Sequence, residues 1–323
     1  MSCRIGMDVG GTNVVTGLFD SEGRLLRRSK VRTIKLSSCE LIQQLAGQCK
    51  EILAAEGVRE SELEAVGIGL PGFIQSESGV VSSANLPFND VPVATRLQQL
   101  LGVPVAVEND VKMVVYGEYL HGAGKGYSHV LGLTIGTGMA SAWVSDGRLH
   151  EGAGGLAGEI GHISFPDISY MCGCGMKGCL ETVASTAGIA RQARDGLKAG
   201  WVGLLAERFP PEIRDELTSH DVWQAYLDGD AFAGQVFQRT ANWLSRVLVP
   251  SIALLSPDVI IVGGGVAAAG DIFFDSLRSY VSASLHPLYR ERLRIVPPSL
   301  GDDGGLYGSA EFALKSRKIG LRI

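Results

Sequence analysis

The sequence predicts an α/β protein of two α/β domains, built on a duplicated core around a central cleft. Three observations carry this. Strand-like and helix-like segments alternate along the chain. A strand, glycine turn, strand unit occurs twice, once near residue 10 and again near residue 136. The length, 323 residues, exceeds what one simple hydrophobic core serves.

The first unit is RIGMDVGGTNVVTGLFDSEGRL. Residues 4–9 read as a strand, GGTN at 10–13 as a turn, and 14–20 as a second strand. Glycine lets the main chain come close to a ligand, so the N–H groups of this tip can hold phosphate oxygens. Asp8, at the end of the first strand, is placed to orient Mg²⁺ or its water shell. A tight hairpin needs glycine in any case, so this unit alone decides nothing.

The second unit, SHVLGLTIGTGMASAWVSDGRL, starts at residue 128. Ile135-Gly136 matches Val9-Gly10, Thr137 matches Thr12 within one residue, and Gly147-Arg148-Leu149 matches Gly23-Arg24-Leu25. The offset drifts from 126 to 124, so two residues are lost between the copies. Two such tips suit the two sides of a nucleotide triphosphate.

Between the copies, residues 39–56 place Leu41, Leu45, Cys49, Ile52 and Leu53 on one helical face. Residues 65–70 read as a buried strand ending at the PGF turn, 91–102 as a helix closed by glycine, 104–109 as a strand and 110–122 as a helix. Asn109-Asp110 sits at that last junction. Asp is a good N-cap, which explains it structurally. Ligands also gather at the carboxyl ends of strands, where an Asp can take the proton of an attacking hydroxyl. Both readings stand on local sequence.

Downstream of the second copy, Glu151–Glu181 holds Glu159, His162, Cys172, Cys174, Cys179 and Glu181. Three thiolates and an imidazole suit tetrahedral Zn²⁺ with no open position, a structural site that pins a glycine-rich loop. Later segments predict helices at 183–199, 230–256 with a kink at Pro250, 271–285 and 306–316, and a strand at 257–265. Residues 200–229 show a Pro-Pro break and no clear repeat. Glycines 263–265 end the strand, either as a tight turn or as bare backbone for adenine or ribose.

Charge and composition narrow the class. Twenty-nine basic and 34 acidic residues leave a formal charge of −5, with no basic tract for nucleic acid or a membrane surface. The most apolar region, 247–262, is broken by Pro250, Pro257 and Asp258. Six cysteines in this length make no disulfide scaffold, and Cys3, Cys39 and Cys49 read as free thiols. A reducing cytoplasm and no signal peptide are expected.

These pieces resemble the ROK family of sugar kinases and repressors from about Ile5 to Ala313. The motifs are DVGGTN (8–13), GIGLPG (67–72), ENDV (108–111), IGTG (135–138), GEIGH (158–162), CGCGMKGCLE (172–181) and VGGGV (262–266). The resemblance implies the actin-like, hexokinase-type fold. It implies a small domain of residues 1–118 plus a returning C-terminal helix, about 306–323. The large domain is then 119–305, with the zinc loop.

It also implies roles. Asp110 becomes the general base on the sugar 6-hydroxyl, and Asn109 a ligand of the neighbouring hydroxyl. Glu159, His162 and Glu181 become sugar ligands, with one His162 ring nitrogen on zinc and the other toward the sugar. Gly72 and Asn85 become further sugar contacts. Gly10, Gly11, Thr12 and Asn13 form one ATP phosphate loop and Gly136, Thr137 and Gly138 the other. Gly264, Gly265 and Gly305 become adenosine contacts. The implied cofactors are ATP, Mg²⁺ and structural Zn²⁺, and the implied assembly a homodimer or homotetramer.

The substrate implied is a glucose- or allose-like hexose, with an N-acetylhexosamine as the alternative. The family also contains sugar-responsive repressors, which carry an N-terminal DNA-binding domain. Only four residues precede Ile5 here, which favours a kinase over a regulator or a non-catalytic sugar-binding protein. Lys112 stands where many members have Asn, Met139-Ala140 replaces Ile/Val-Gly, and Tyr170-Met171 replaces Gly-Pro.

Overall fold

The computed structural model describes residues 2–75 and 78–319. Residues 320–323 of the expected C-terminal segment lie outside the described residues. Two five-stranded sheets carry the chain, and they share one topology. The first contains β1 (Cys3–Val9), β2 (Asn13–Asp20), β3 (Leu25–Arg32), β4 (Leu63–Leu70) and β8 (Val105–Asn109), in the order β3-β2-β1-β4-β8. In the second, β9 (His129–Ile135), β10 (Met139–Ser145), β11 (Arg148–Leu149), β12 (Val259–Gly263) and β13 (Arg294–Val296) run in the order β11-β10-β9-β12-β13. The repeat seen in sequence is thus a repeat of whole sheets: a meander of three strands, then two more beside its first strand. Parallel pairs join β1 to β4, β4 to β8, β9 to β12, and β12 to β13.

A small sheet of β5 (Phe73–Gln75), β6 (Val80–Ser82) and β7 (Val91–Pro92) follows the PGF turn. The helix expected from residue 91 therefore begins later, as α2 (Val93–Leu101), because Val91 and Pro92 pair with β6. Helix α1 (Ser38–Glu56) is capped by Ser37 and closed by left-handed Gly57. Helix α3 (Asp110–His121) follows β8 directly.

The helix expected over 183–199 is two, α4 (Glu181–Ala184) and α5 (Thr186–Lys198). Ser185 turns extended between them and its side chain accepts from the Gly188 N–H. Residues 200–229 contain α6 (Leu204–Arg208) and α7 (Ser219–Leu227). Helix α8 (Ala231–Leu255) runs through Pro250 as one helix, with Phe232, Val236, Thr240, Leu244 and Val247 buried as expected. Helices α9 (Asp271–Ser284), α10 (Pro287–Arg290) and α11 (Gly304–Ile319) complete the chain. No helix among the described residues is long and apolar enough to cross a membrane.

Packing divides the chain into two compact units. The first is Met1–Ser128, Ala142–Ala157 and Pro298–Ile323; the second is His129–Ser141 and Gly158–Pro297. Residues 142–157 thus pack with the first unit. In the first unit one face of the sheet packs Ile5, Met7, Ile68 and Leu70 against Leu41, Leu45 and Leu53 of α1 and Leu97 of α2. On the other face lie α3 and α11. A Cβ on Gly67 would stand 1.8 Å from the Ser309 carbonyl oxygen, and one on Gly308 1.8 Å from that of Met113. Glycine at both positions lets α11 lie backbone-close on β4 and on α3.

Candidate active site

In the first unit the carboxyl ends of β1, β4 and β8 lie side by side. Asp8 is in register with Gly69, Gly69 with Glu108, and Leu70 with Asn109. A Cβ on Gly69 would lie 3.3 Å from the Asp110 Cα, so the two candidate acids Asp8 and Asp110 flank this glycine. Asp8 is half-buried, and its carboxyl is pushed up to about 6. Burial is the main cause, followed by the negative charges of Asp110 and Asp302, with Arg28 opposing. A site that concentrates acid in this way is suited to a cation. Asp302, in the turn before α11, was not read from sequence. Gly305 packs on Asp8: a Cβ there would lie 3.2 Å from the Asp8 Cγ.

The Asn109-Asp110 pair separates its two possible roles. Asn109 is the N-cap, with its Oδ1 accepting from the N–H groups of Val111 at 3.0 Å and Lys112 at 3.3 Å. Its Nδ2 donates to the Gly72 carbonyl at 3.3 Å. Asp110 follows at the first helical position, and its Oδ1 accepts from the same Val111 N–H at 2.9 Å. Gly72 itself needs glycine, with φ at +125° and the Ser82 carbonyl 2.4 Å from any Cβ.

The first glycine tip is braced from the residue that follows β3. The Gly10 N–H donates to the Asn13 carbonyl at 2.9 Å, and the Thr33 hydroxyl donates to the Gly10 carbonyl at 2.7 Å. Gly11 faces Lys35 and the exposed Asn85. The second tip, in the second unit, repeats the device. Gly136 donates to the Gly138 carbonyl at 2.9 Å, and the Thr186 hydroxyl donates to the Gly136 carbonyl at 2.9 Å. Thr137 and Gly138 are exposed there, as Thr12 is in the first copy. Neither threonine brace was visible in sequence, since each comes from outside its hairpin. Gly264 has φ at +83° and a Cβ on it would meet the Ile135 carbonyl at 2.4 Å, so turn geometry alone demands glycine. A Cβ on Gly265 would come within 3.1 Å of Thr186.

Also in the second unit, His162, Cys172, Cys174 and Cys179 offer ligand atoms that all lie within 4.8 Å of one another. Cys174 Sγ is 3.6 Å from Cys179 Sγ, and Cys172 Sγ is 3.7 Å from His162 Nδ1. A tetrahedron with bonds of about 2.3 Å has edges of about 3.8 Å, so the donor set fits Zn²⁺. The loop that presents the sulfurs is closed by the Cys172 N–H on the Met176 carbonyl at 2.8 Å and by Gly175 and Gly178, both at positive φ. Tyr170 docks it on α5, its hydroxyl donating to Asp195 and its ring lying 4.8 Å from the Arg191 guanidinium.

His162 faces two ways. Its Nδ1 is on the sulfur side, 3.8 Å from Glu181 Oε1, while its Nε2 is 3.7 Å from Glu159 Oε2. Metal on Nδ1 leaves Nε2 and the two carboxylates to present to a polar ligand. Glu181 Oε1 also lies 2.8 Å from Cys172 Sγ, and a Cβ on Gly138 would be 3.5 Å from Glu181 Oε2, so this acid borders both the sulfur cluster and the second tip.

The ROK family model matches residues 4–316. A glucokinase of Thermotoga maritima is 34% identical over 310 residues, 95% of each chain. Among solved structures, a ROK family glucokinase from Streptomyces griseus in complex with glucose and AMPPNP superposes with a TM-score of 0.79 at 31% identity. That match covers 97% of this chain and all of that one. A ROK family transcriptional regulator, described as a homologue of the E. coli MLC protein, superposes at a TM-score of 0.85 and 26% identity. It matches 95% of this chain and 76% of the regulator. The actin-like, hexokinase-type fold expected from the sequence is the fold of these neighbours.

Proposed function

Because this chain belongs to the ROK family across residues 4–316, we propose that it is an ATP-dependent hexose kinase acting on the 6-hydroxyl of a glucose- or allose-like sugar. The observation that carries the catalytic assignment is the division of labour at the start of α3. Asn109 is the N-cap, and Asp110 stands beside it where β8 runs into α3, next to the acid Asp8. Asp110 takes the proton of the sugar hydroxyl as its oxygen attacks the γ-phosphorus. The bond from that phosphorus to the β,γ-bridging oxygen breaks, and ADP leaves with the electron pair. Most of the rate gain comes from alignment and charge stabilisation.

The remaining roles follow the chemistry of each group. Asn109, Gly72 and Asn85 bind sugar hydroxyls, as do Glu159, His162 Nε2 and Glu181. The braced tips Gly10–Asn13 and Gly136–Gly138 take phosphate oxygens on backbone N–H groups, while Gly264, Gly265 and Gly305 give close backbone approach for the adenosine. Asp8 would hold Mg²⁺ through water, and the metal would neutralise phosphate charge. His162 Nδ1 and the three cysteines would hold Zn²⁺, whose role is to fix the imidazole's tautomer and aim. A cytoplasmic homodimer or homotetramer completes the proposal.

The test is a coupled ADP-release assay over glucose, allose, N-acetylglucosamine and N-acetylmannosamine, run on wild type and Asp110→Asn. Wild type is expected to favour the plain aldohexoses. Asp110→Asn is expected to lose about 10²–10⁴ in kcat, with sugar affinity nearly intact. Sugar binding without turnover by the wild type would point to a regulator or sugar-binding protein. Full turnover by Asp110→Asn would remove the residue from the chemistry.

A further inference from the structure

We propose that Lys112 is a positioning residue that fastens the glycine-rich segment 152–155 to the first turn of α3 and so sets hexose affinity. The substrate in this statement rests on the kinase reading above; the anchor itself does not. Lys112 is 3% exposed, and Glu108, four residues earlier, is fully buried. A cation in the first turn of a helix meets the positive end of the helix dipole, and burial adds a desolvation cost. The contacts that offset these costs point away from the helix. The Lys112 ammonium donates to the Gly155 carbonyl at 2.8 Å and lies 3.3 Å from Glu108 Oε1. That same Glu108 oxygen accepts from the Asn109 N–H at 2.7 Å. One buried charge pair thus ties the Asn109 backbone to the Gly155 carbonyl, 43 residues from Lys112 in the chain.

The segment it reaches is closed at its base by the Ala157 N–H on the Glu151 carbonyl at 3.0 Å, and the turn within is held more loosely. Gly152, Gly154 and Gly155 all sit at positive φ, and Gly152, Ala153 and Gly154 are exposed. Its own turn bonds, Gly155 N–H to Gly152 and Leu156 N–H to Ala153, are both 3.4 Å long. The turn packs beside β5, which follows Gly72, and Gly72 accepts from Asn109. Contacts therefore run in a ring from Lys112 of α3 through Gly155, β5 and Gly72 back to Asn109, and Asp110 lies between the two ends in the chain. Releasing Gly155 opens the ring beside the residues assigned to the sugar and leaves Asp8 and the Gly10–Asn13 tip untouched.

The test is Lys112→Met, which keeps the apolar stem, with Glu108→Gln/Lys112→Met as the variant that also removes the Glu108 charge. In both, KM for the hexose is expected to rise about tenfold while kcat and KM for ATP stay within about threefold. Deuterium uptake by the peptide covering residues 150–158 is expected to accelerate in parallel, and Lys112→Arg to recover most of both effects. A purely stabilising pair would lower Tm and leave the kinetic split and the uptake at wild-type values, which overturns the proposal. Faster uptake with unchanged hexose affinity, read by calorimetry, overturns it too. Absence of sugar-dependent ATP turnover in the wild type would instead sink the kinase reading, with uptake and calorimetry still deciding the anchor.

Discussion

Replacing Asp8 by Asn should make the ligand-free protein more stable at neutral pH while destroying its use to the reaction. The Asp8 carboxyl ends β1, packs against Gly305, and is pushed from 3.8 up to about 6, first by burial and then by Asp110 and Asp302. Its folded-state value is raised above the unfolded one. Below about pH 4 both folded and unfolded chains carry the neutral acid, and Asp8 costs nothing. Between about pH 4 and 6 the unfolded chain ionises while the folded one keeps its proton, and stability falls as pH rises. Above that window the full penalty is present. A shift of roughly two units at about 1.4 kcal/mol each gives a penalty of about 3 kcal/mol, an upper bound for a half-buried group.

The assay is urea unfolding of wild type and Asp8→Asn at half-unit steps from pH 4 to 8, without nucleotide or Mg²⁺. The difference between the two proteins is the quantity to read, because protonation of the sulfur–histidine cluster is common to both and cancels. It should be near zero at pH 4, favour Asp8→Asn increasingly through pH 6, and level off at about 2–3 kcal/mol. Adding Mg²⁺-ATP should shrink it by stabilising the ionised wild type. Parallel curves across the whole range, or a variant less stable than wild type at pH 7.5, would refute the idea that this acid is held at an energetic cost for a cation.

Three other perturbations probe the frame around the site. Metal analysis should find one zinc per chain, and Cys174→Ser or chelation should reduce it, lower sugar affinity and speed proteolysis of the loop around Cys172–Cys179; a metal-free preparation with unchanged sugar affinity would contradict this. Gly308→Ala should destabilise by about 1–3 kcal/mol or more, since its Cβ would stand 1.8 Å from the Met113 carbonyl oxygen and push α11 off α3. Gly47→Ala, inside α1 with no atom within 4 Å of the new Cβ, should stabilise by about 0.5–1 kcal/mol. Denaturant midpoints separate the two glycines, and equal effects would undo the packing argument.

What the sequence revealed of the fold follows from what each element must bury. The paired hairpins and α8 were legible because their apolar residues recur at strand or helix spacing, and the structure buries those same residues. Strand β3, LLRRSKVR, was missed because it lies at the sheet's edge. Such a strand has no need of an apolar face, and charge there discourages further pairing. Strands β5 to β7 are two or three residues long, too short for any period to show. Helix α7 did leave a signal: Thr218 and Asp221 form a capping box, and T-x-x-D could have marked its start.

The site divides along a similar line. Glycine tips, the N-D pair and the His–Cys set announce themselves because their chemistry restricts residue type at short spacing. The supports do not. Thr33 and Thr186 brace their tips from 23 and 50 residues away, and nothing local distinguishes them from any other threonine. Glu108 and Lys112 are four apart, a spacing that signals pairing on a helix. Here, however, Glu108 belongs to β8 and only Lys112 to α3, so the helical rule gives no reason to pair them. They meet because the strand runs into the helix without a loop and buries both side chains at the junction. That burial forces Lys112 to find the Gly155 carbonyl as well, and an exposed lysine at the same position would have had no reason to hold it.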